Sequence, residues 1–213
     1  LLPWVAQVRP PRLLRALRQA LPTLGVALTE DDPVQALQHD LQGRVAAVLT
    51  QSGERITAAH FVASVGAWTS RLLPSTPSVP AVQPVKGQML LLDAPAGVLP
   101  HILLRGGHYL IPRADGTAVL GSTLEHTGFA AEADSTGRNT LLQAAEFLVP
   151  GAAHWPVLHH WAGLRPMADG QDPLLLRHPA SDNLWLNTAH YRNGITLAPA
   201  SAEKLTALIQ QAA

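Results

Sequence analysis

The order of apolar, turn and helical segments predicts an α+β, or mixed α/β, fold with an antiparallel middle. Two observations carry that expectation. Strand-like runs crowd the stretch from Val82 to Ser122, two of them joined by Ala114-Asp115-Gly116, an Asp-Gly turn of the kind that closes antiparallel hairpins. Helical periodicity is confined to an early segment, one near 141–148 and the final one, with no internal repeat and no low-complexity tract.

The elements follow in order. After Pro10-Pro11, Arg12 to Ala20 places Leu13, Leu14 and Leu17 among Arg12, Arg15 and Arg18, an amphipathic helix started by proline and stopped before Pro22. Gly25–Thr29 and Arg44–Thr50 read as short strands, the second turning through Ser52-Gly53 into Glu54–Thr57. Phe61–Val65, nearly all apolar and ended by Gly66, suits a central buried strand. Ala67–Leu73 reads as one or two helical turns, followed by a stiff connector at Pro74, Pro77 and Pro80. Strands are then expected over Val82–Leu92, Ile102–Leu104, Tyr109–Arg113 and Ala118–Ser122. A helix over Leu141–Leu148 has Leu141, Leu142, Ala145 and Leu148 on one face and closes at Pro150-Gly151. Strands near Leu158–Arg165, Pro173–Leu176 and Leu184–Thr188 precede a last helix from about Ile195 to Gln211.

Composition narrows the function classes. Fifteen Lys+Arg against fifteen Asp+Glu leave no net charge, which argues against nucleic acid or an acidic membrane surface as partner. With 47% hydrophobic and 14% charged residues the chain is built to fold. The longest apolar candidate, Met89–Leu99, is broken by Asp93, Pro95 and Gly97, well short of the roughly 18 residues that cross a bilayer. The absence of cysteine removes disulfides, thiolate metal sites and cysteine nucleophiles.

Three segments could carry chemistry. In Trp161-Ala-Gly-Leu-Arg165-Pro166, a strand puts Trp161, Gly163 and Arg165 on one face, with Gly163 leaving room for a ligand or a neighbouring backbone. Arg165 could offer a bidentate fork to a carboxylate, or equally close a structural salt bridge. In His108-Tyr-Leu-Ile-Pro-Arg113, alternation groups Tyr109, Ile111 and Arg113; Tyr109 could point its hydroxyl into a pocket or be an ordinary half-buried sheet residue. In His190-Tyr-Arg-Asn-Gly-Ile195, a glycine at a strand-to-helix turn beside Arg192 suits an anion or an ordinary helix start. His154, His159 and His160 have no carboxylate beside them, and His159 and His160 point to opposite faces of a strand, so no metal site is expected. Neither Gly-x-Ser-x-Gly nor a glycine-rich phosphate loop occurs.

Taken in order, the segments resemble the FAD-dependent D-amino-acid oxidase superfamily, and within it the glycine oxidase branch of thiamine biosynthesis. The matching stretches are Phe61-Val-Ala-Ser-Val-Gly-Ala-Trp-Thr69, Val82-Gln-Pro-Val-Lys-Gly-Gln-Met-Leu90, His108–Arg113, Val119-Leu-Gly-Ser-Thr-Leu-Glu125 with Gly128-Phe129, Trp161–Pro166, and His190–Ile195 leading to Ala198-Pro199-Ala200. They span nearly the whole chain. The resemblance implies a partial FAD-binding domain over 1–80, an antiparallel substrate-binding domain over 81–162, and the remainder of a Rossmann-like FAD-binding domain with the C-terminal helix over 163–213.

It also implies roles. Arg165 would pair with the substrate carboxylate, Tyr109 would close over it, and Arg192 would be a second active-site arginine. Gly194 and Ile195, with Asn193 before them, would supply backbone donors near the flavin pyrimidine ring. Val34 would meet the adenine, and Ser64, Gly66, Trp68 and Gly163 would lie along the cofactor. The reaction implied is oxidation of glycine, sarcosine or a small D-amino acid to the imine, with O2 reduced to hydrogen peroxide. The resemblance places the protein in the cytoplasm and leaves a homo-oligomer open. The family's Gly-x-Gly-x-x-Gly unit finds no match here, so Leu1-Leu2-Pro3-Trp4 reads as a boundary inside a larger protein, and the chain alone is expected to be inactive. The alternative is a non-catalytic fragment or subunit that needs another chain to complete its FAD site. A third possibility is a related oxidase of another carboxylate such as proline, or of glycerol phosphate, though a phosphate substrate would want more cationic groups than Arg165 and Arg192. Leu176 and Ala189 stand where this branch usually has glycine, placing side chains where backbone would approach closely.

Overall fold

The structure is a computed structural model that describes residues 5–73, 75–170 and 172–212; Leu1-Leu2-Pro3-Trp4 and Pro74 of the expectations above lie outside the described residues. In chain order the elements are α1 (Pro10–Ala20), β1 (Val34–His39), β2 (Val45–Thr50), β3 (Arg55–Ile56), β4 (Phe61–Ala63), α2 (Thr69–Leu72), β5 (Val82–Asp93), β6 (Leu103–Arg105), β7 (His108–Pro112) and β8 (Thr117–Gly121). They continue with α3 (Ser135–Leu148), β9 (Val157–Ala168), β10 (Leu174–Arg177), β11 (Leu184–Thr188) and α4 (Gly194–Ala212). The chain divides into two compact units, one of residues 5–7 and 84–165, the other of residues 8–83 and 166–212.

The first unit is a five-stranded sheet in the order β6-β7-β8-β5-β9, with β5 to β8 paired antiparallel. The Asp115 carboxylate accepts from the backbone N–H and hydroxyl of Thr117, which closes the Asp-Gly turn between β7 and β8. Leu90, Leu92, Leu110 and Leu120 form the core with Leu141 and Ala145 of α3, and Leu142 and Leu148 pack at its margin. The apolar face expected for this helix is therefore the one that is buried. The helix begins six residues earlier than the leucines announce, because the Asp134 carboxylate caps the N–H of Gly137 at 2.8 Å.

The second unit holds a β1-β2-β3 meander and a sheet ordered β10-β11-β4, in which β11 and β4 run parallel. Asn183 ties them: its Oδ1 accepts from the Val45 N–H and its Nδ2 donates to the Val45 carbonyl, both at 2.9 Å. Val45, Ala63, Val82, Leu174, Leu184 and Leu186 are its core.

Three expectations change. Gly25–Thr29 is a turn and extended chain rather than a strand; Val26 and Leu28 are exposed and no ladder forms there. The missed strand is β1, whose Val-Gln-Ala-Leu-Gln-His sequence has no strong alternation and is imposed by its antiparallel pairing with β2. β4 is an edge among the described strands, with Val62 exposed, rather than a central buried one. Helix α1 forms as its pattern predicts, with prolines in its first turn, and buries none of its residues among the described ones. No helix among the described residues is long and apolar enough to cross a membrane.

Candidate active site

The alternation of β5 decides which residues meet. Its odd positions include Gly87 and Met89, and its even positions Lys86, Gln88, Leu90 and Leu92, so two different environments lie on the two faces of one strand.

On the odd face, Tyr109 and Arg165 each lie across a glycine. The register sets Tyr109, Gly121 and Met89 in a row over β7, β8 and β5. A Cβ on Gly121 would stand 2.6 Å from the Tyr109 Cζ and hydroxyl oxygen, so only glycine leaves the ring this path to Met89, whose sulfur receives the hydroxyl at 3.7 Å. A Cβ on Gly87 would likewise fall inside the Arg165 guanidinium. Arg165 Nη2 donates to Ser122 Oγ at 2.8 Å and Nη1 to the Thr123 carbonyl at 3.3 Å. Tyr109 therefore rests on Gly121 while Arg165 grips Ser122, the next residue, so the two expected site residues converge on one corner of the sheet. Both glycines sit inside the stretches that carry the family resemblance, and the signal each offers is a glycine at a strand interior, where it otherwise weakens the strand. Around Gly163 the space a Cβ would occupy is open.

On the even face sits a buried polar network. Lys86, 4% exposed, donates to Glu125 at 2.9 Å, Asp134 at 2.8 Å and the Glu132 carbonyl at 3.0 Å. Gln88, fully buried, donates to Glu125 and Asp134, and its Oε1 accepts from the Asp134 N–H and pairs with His160 Nε2 at 2.9 Å. Hydrogen bonds to Asp134 and Glu125 raise the Lys86 pKa above its ordinary value. Those from Lys86 and the Gly137 N–H bring Asp134 down to about 2. Burial alone would raise Glu125, but hydrogen bonds from Thr123, Lys86 and Gln88 outweigh it and the net direction is down. Burial lowers His160. His159 stacks on Trp161 with ring centroids 5.5 Å apart, so His159 and His160 point to opposite faces of β9.

In the other unit, Val34 and Trp68 line one cavity of about 560 Å³ with Pro33, Gln35, Val65, Arg71 and Leu72. The lining is mostly apolar, with the half-exposed Trp68 indole, Gln35 and Arg71 as its polar members, the mix usual for a small-molecule or cofactor site. Ser64 is exposed at the end of β4, and the Gly66 carbonyl accepts from the Thr69 hydroxyl at 2.7 Å, which fixes the turn that carries Trp68. At the other end of this unit, Asn193 and Gly194 open α4: the Leu197 N–H bonds the Asn193 carbonyl, and Arg192 and Ile195 are exposed. Ala189 has φ +61° and Tyr191 φ +50°. The backbone at Ala189 is thus in the left-handed region that glycine favours, and alanine holds it there at a cost of about 1–2 kcal/mol. Leu176 lies opposite Leu186 and packs on the core, so its side chain is turned inward and does not stand over the turn that follows.

Tyr109 and Arg165 converge over a sheet in one unit, and a mostly apolar cavity lies in the other. Comparison with known proteins gives the class as flavin-dependent oxidoreductases. The chain belongs to the FAD dependent oxidoreductase (DAO) family, whose profile matches residues 1–208. It is 42% identical to glycine oxidase of Pseudomonas aeruginosa over 206 residues, covering 96% of this chain and 56% of that protein. It is 40% identical to the bifunctional protein ThiO/ThiG of Synechocystis, covering 95% of this chain and 30% of that protein. The crystal structure of glycine oxidase from Geobacillus kaustophilus superposes with a TM-score of 0.86 at 29% identity, covering 96% of this chain and 55% of the other. The chain thus spans about half the length of the glycine oxidases it matches.

Proposed function

We propose that this chain provides the substrate-binding domain and part of the FAD-binding domain of an amino-acid oxidase that converts glycine, sarcosine or a small D-amino acid to the imine, with O2 reduced to hydrogen peroxide. The observation that carries the proposal is the pairing of Tyr109 and Arg165 over Gly121 and Gly87. The domain division proposed is FAD-binding for residues 1–80 and 163–213, and substrate-binding for 81–162. The proposed setting is thiamine biosynthesis, supported by the name of the ThiO/ThiG relative, and the proposed location is the cytoplasm.

Bound FAD supplies the two-electron acceptor. Val34, Ser64, Gly66, Trp68, Gly163, Asn193, Gly194 and Ile195 are the residues proposed to hold it. Arg165 binds the substrate carboxylate through its guanidinium fork, Tyr109 covers the bound molecule and excludes water, and Arg192 adds a second positive charge. Protein catalysis is then positioning and electrostatics, which agrees with the lack of a general acid–base pair among these residues.

Two measurements test the proposal together. The purified chain is mixed with FAD and passed over a sizing column, and glycine-dependent oxygen consumption is measured in an enzyme that joins this chain to the Gly-x-Gly-x-x-Gly half of a glycine oxidase. Weak flavin retention by the 213-residue chain alone, with oxygen consumption by the joined, FAD-loaded enzyme, is the expected result. Tight stoichiometric retention would overturn the view that the cofactor site is incomplete. Loaded enzyme that consumes no oxygen with any of these amines would support the non-catalytic alternative instead.

A further inference from the structure

The two oxygens that receive Arg165, Ser122 Oγ and the Thr123 carbonyl, lie on the segment just after β8. The same segment is held by the network on the other face of β5. The Thr123 hydroxyl accepts from the Gln88 N–H at 2.8 Å and donates to Glu125. Glu125 is fixed in turn by Lys86, and the backbones of Lys86 and Glu125 exchange both hydrogen bonds, at 2.9 and 3.0 Å. All three N–H donors of Lys86 are engaged, with Glu125, Asp134 and the Glu132 carbonyl. Leu90 and Leu92 continue the same face as plain apolar core, so the fold had an apolar solution within reach. Buried ion pairs contribute little net stability relative to such a solution, and their best-attested use is to fix geometry.

We infer that Thr123 and Glu125, anchored by Lys86, are positioning residues for Arg165. The inference rests on the reading of Arg165 as the carboxylate-binding group. The chain Lys86–Glu125–Thr123 sets the direction of the Thr123 carbonyl and the place of Ser122, and these aim the guanidinium. Geometry is transmitted through the strand from a buried charge on one face to the ligand on the other.

The test uses the full chain with acetate as the probe. Acetate affinity is measured by titration well below the unfolding temperature, while the Arg165 Nε–H resonance, identified by its loss in Arg165→Lys, is followed by NMR. Thr123→Val removes the hydroxyl and keeps the side-chain shape; acetate binding should weaken about tenfold, the effect of one misplaced hydrogen-bond pair, and the Arg165 resonance should shift or broaden. Thr123→Ser, which restores the hydroxyl, should return both to within about twofold of the unmodified chain. Where Thr123→Val does not fold, Glu125→Gln serves in its place with the same expected direction. Acetate binding and an Arg165 resonance unchanged in the folded variants would overturn the inference while leaving Arg165 in its role. No acetate binding by the unmodified chain, or binding that survives Arg165→Lys unaltered, would overturn the role itself.

Discussion

Gly87 is where a single methyl group should separate the fold from its site. In Gly87→Ala the new Cβ would stand less than 2.5 Å from Cζ, Nη1 and Nη2 of Arg165. Ordinary contact begins at 3.4 Å and the nearest guanidinium atom, Nη2, lies 1.4 Å inside it, so the guanidinium must retreat by about 1.4 Å. If that retreat is taken along the bond to Ser122 Oγ, its 2.8 Å grows to about 4.2 Å, longer than a hydrogen bond. The obstacle is the far end of a flexible side chain, so the stability cost falls at the low end of overpacking, about 1 kcal/mol, or a melting temperature lower by about 2–4 °C. Carboxylate affinity should suffer more. An arginine about 1 Å out of place costs on the order of tenfold to a hundredfold. Thermal unfolding and glycine kinetics measured on the same preparation check both arms. A variant that melts slightly lower yet binds glycine as before would refute the idea that the glycine exists to seat Arg165. One that fails to fold would refute the claim that the side chain yields.

Core and network give further expectations. Leu120→Ala removes a fully buried side chain from the centre of the five-stranded sheet and should cost about 2–5 kcal/mol by urea unfolding. Asp134, held down to about 2 by Lys86 and the Gly137 N–H, has a folded pKa below its ordinary 3.8, so its contribution is present above that value and is lost as pH falls toward 2. Asp134→Asn should therefore flatten the stability profile between about pH 4 and 2 in acid-unfolding curves. Lys86 has the opposite sign: its pKa is raised above 10.5, so its contribution holds below that value and is lost as pH rises past it, which alkaline unfolding would reveal.

Much of this arrangement was legible in the residues because local signals were strong. The leucine spacing of α3, the Asp-Gly turn and the period-two grouping of Tyr109 with its neighbours each follow from geometry that one segment carries alone. The face of β9 that bears Arg165 was legible for the same reason, and the opposed directions of His159 and His160 with it. What escaped was set by partners distant in sequence. β1 is a strand because β2 pairs with it, and Gly25–Thr29 lacks such pairing among the described residues. α3 starts at Asp134 because its first turn packs on Gln88, where a Cβ on Gly137 would strike the amide. Lys86 and Gln88 lie in one stretch of the sequence and Glu125 in another, and only strand pairing brings them to one buried cluster. The seats of Arg165 and Tyr109 are glycines, and a glycine in a sequence does not say which side chain will lie across it.

The measurement that bears most directly on the account is glycine saturation of the FAD-loaded enzyme with Arg165→Ala. Removing one partner of a charge pair between guanidinium and carboxylate costs about 2–5 kcal/mol, which is a loss of affinity of about 30-fold to several thousandfold. The account predicts that the apparent KM for glycine rises by at least the lower of these. An apparent KM for glycine that stays where it was would contradict the assignment of Arg165, and with it the site built around it.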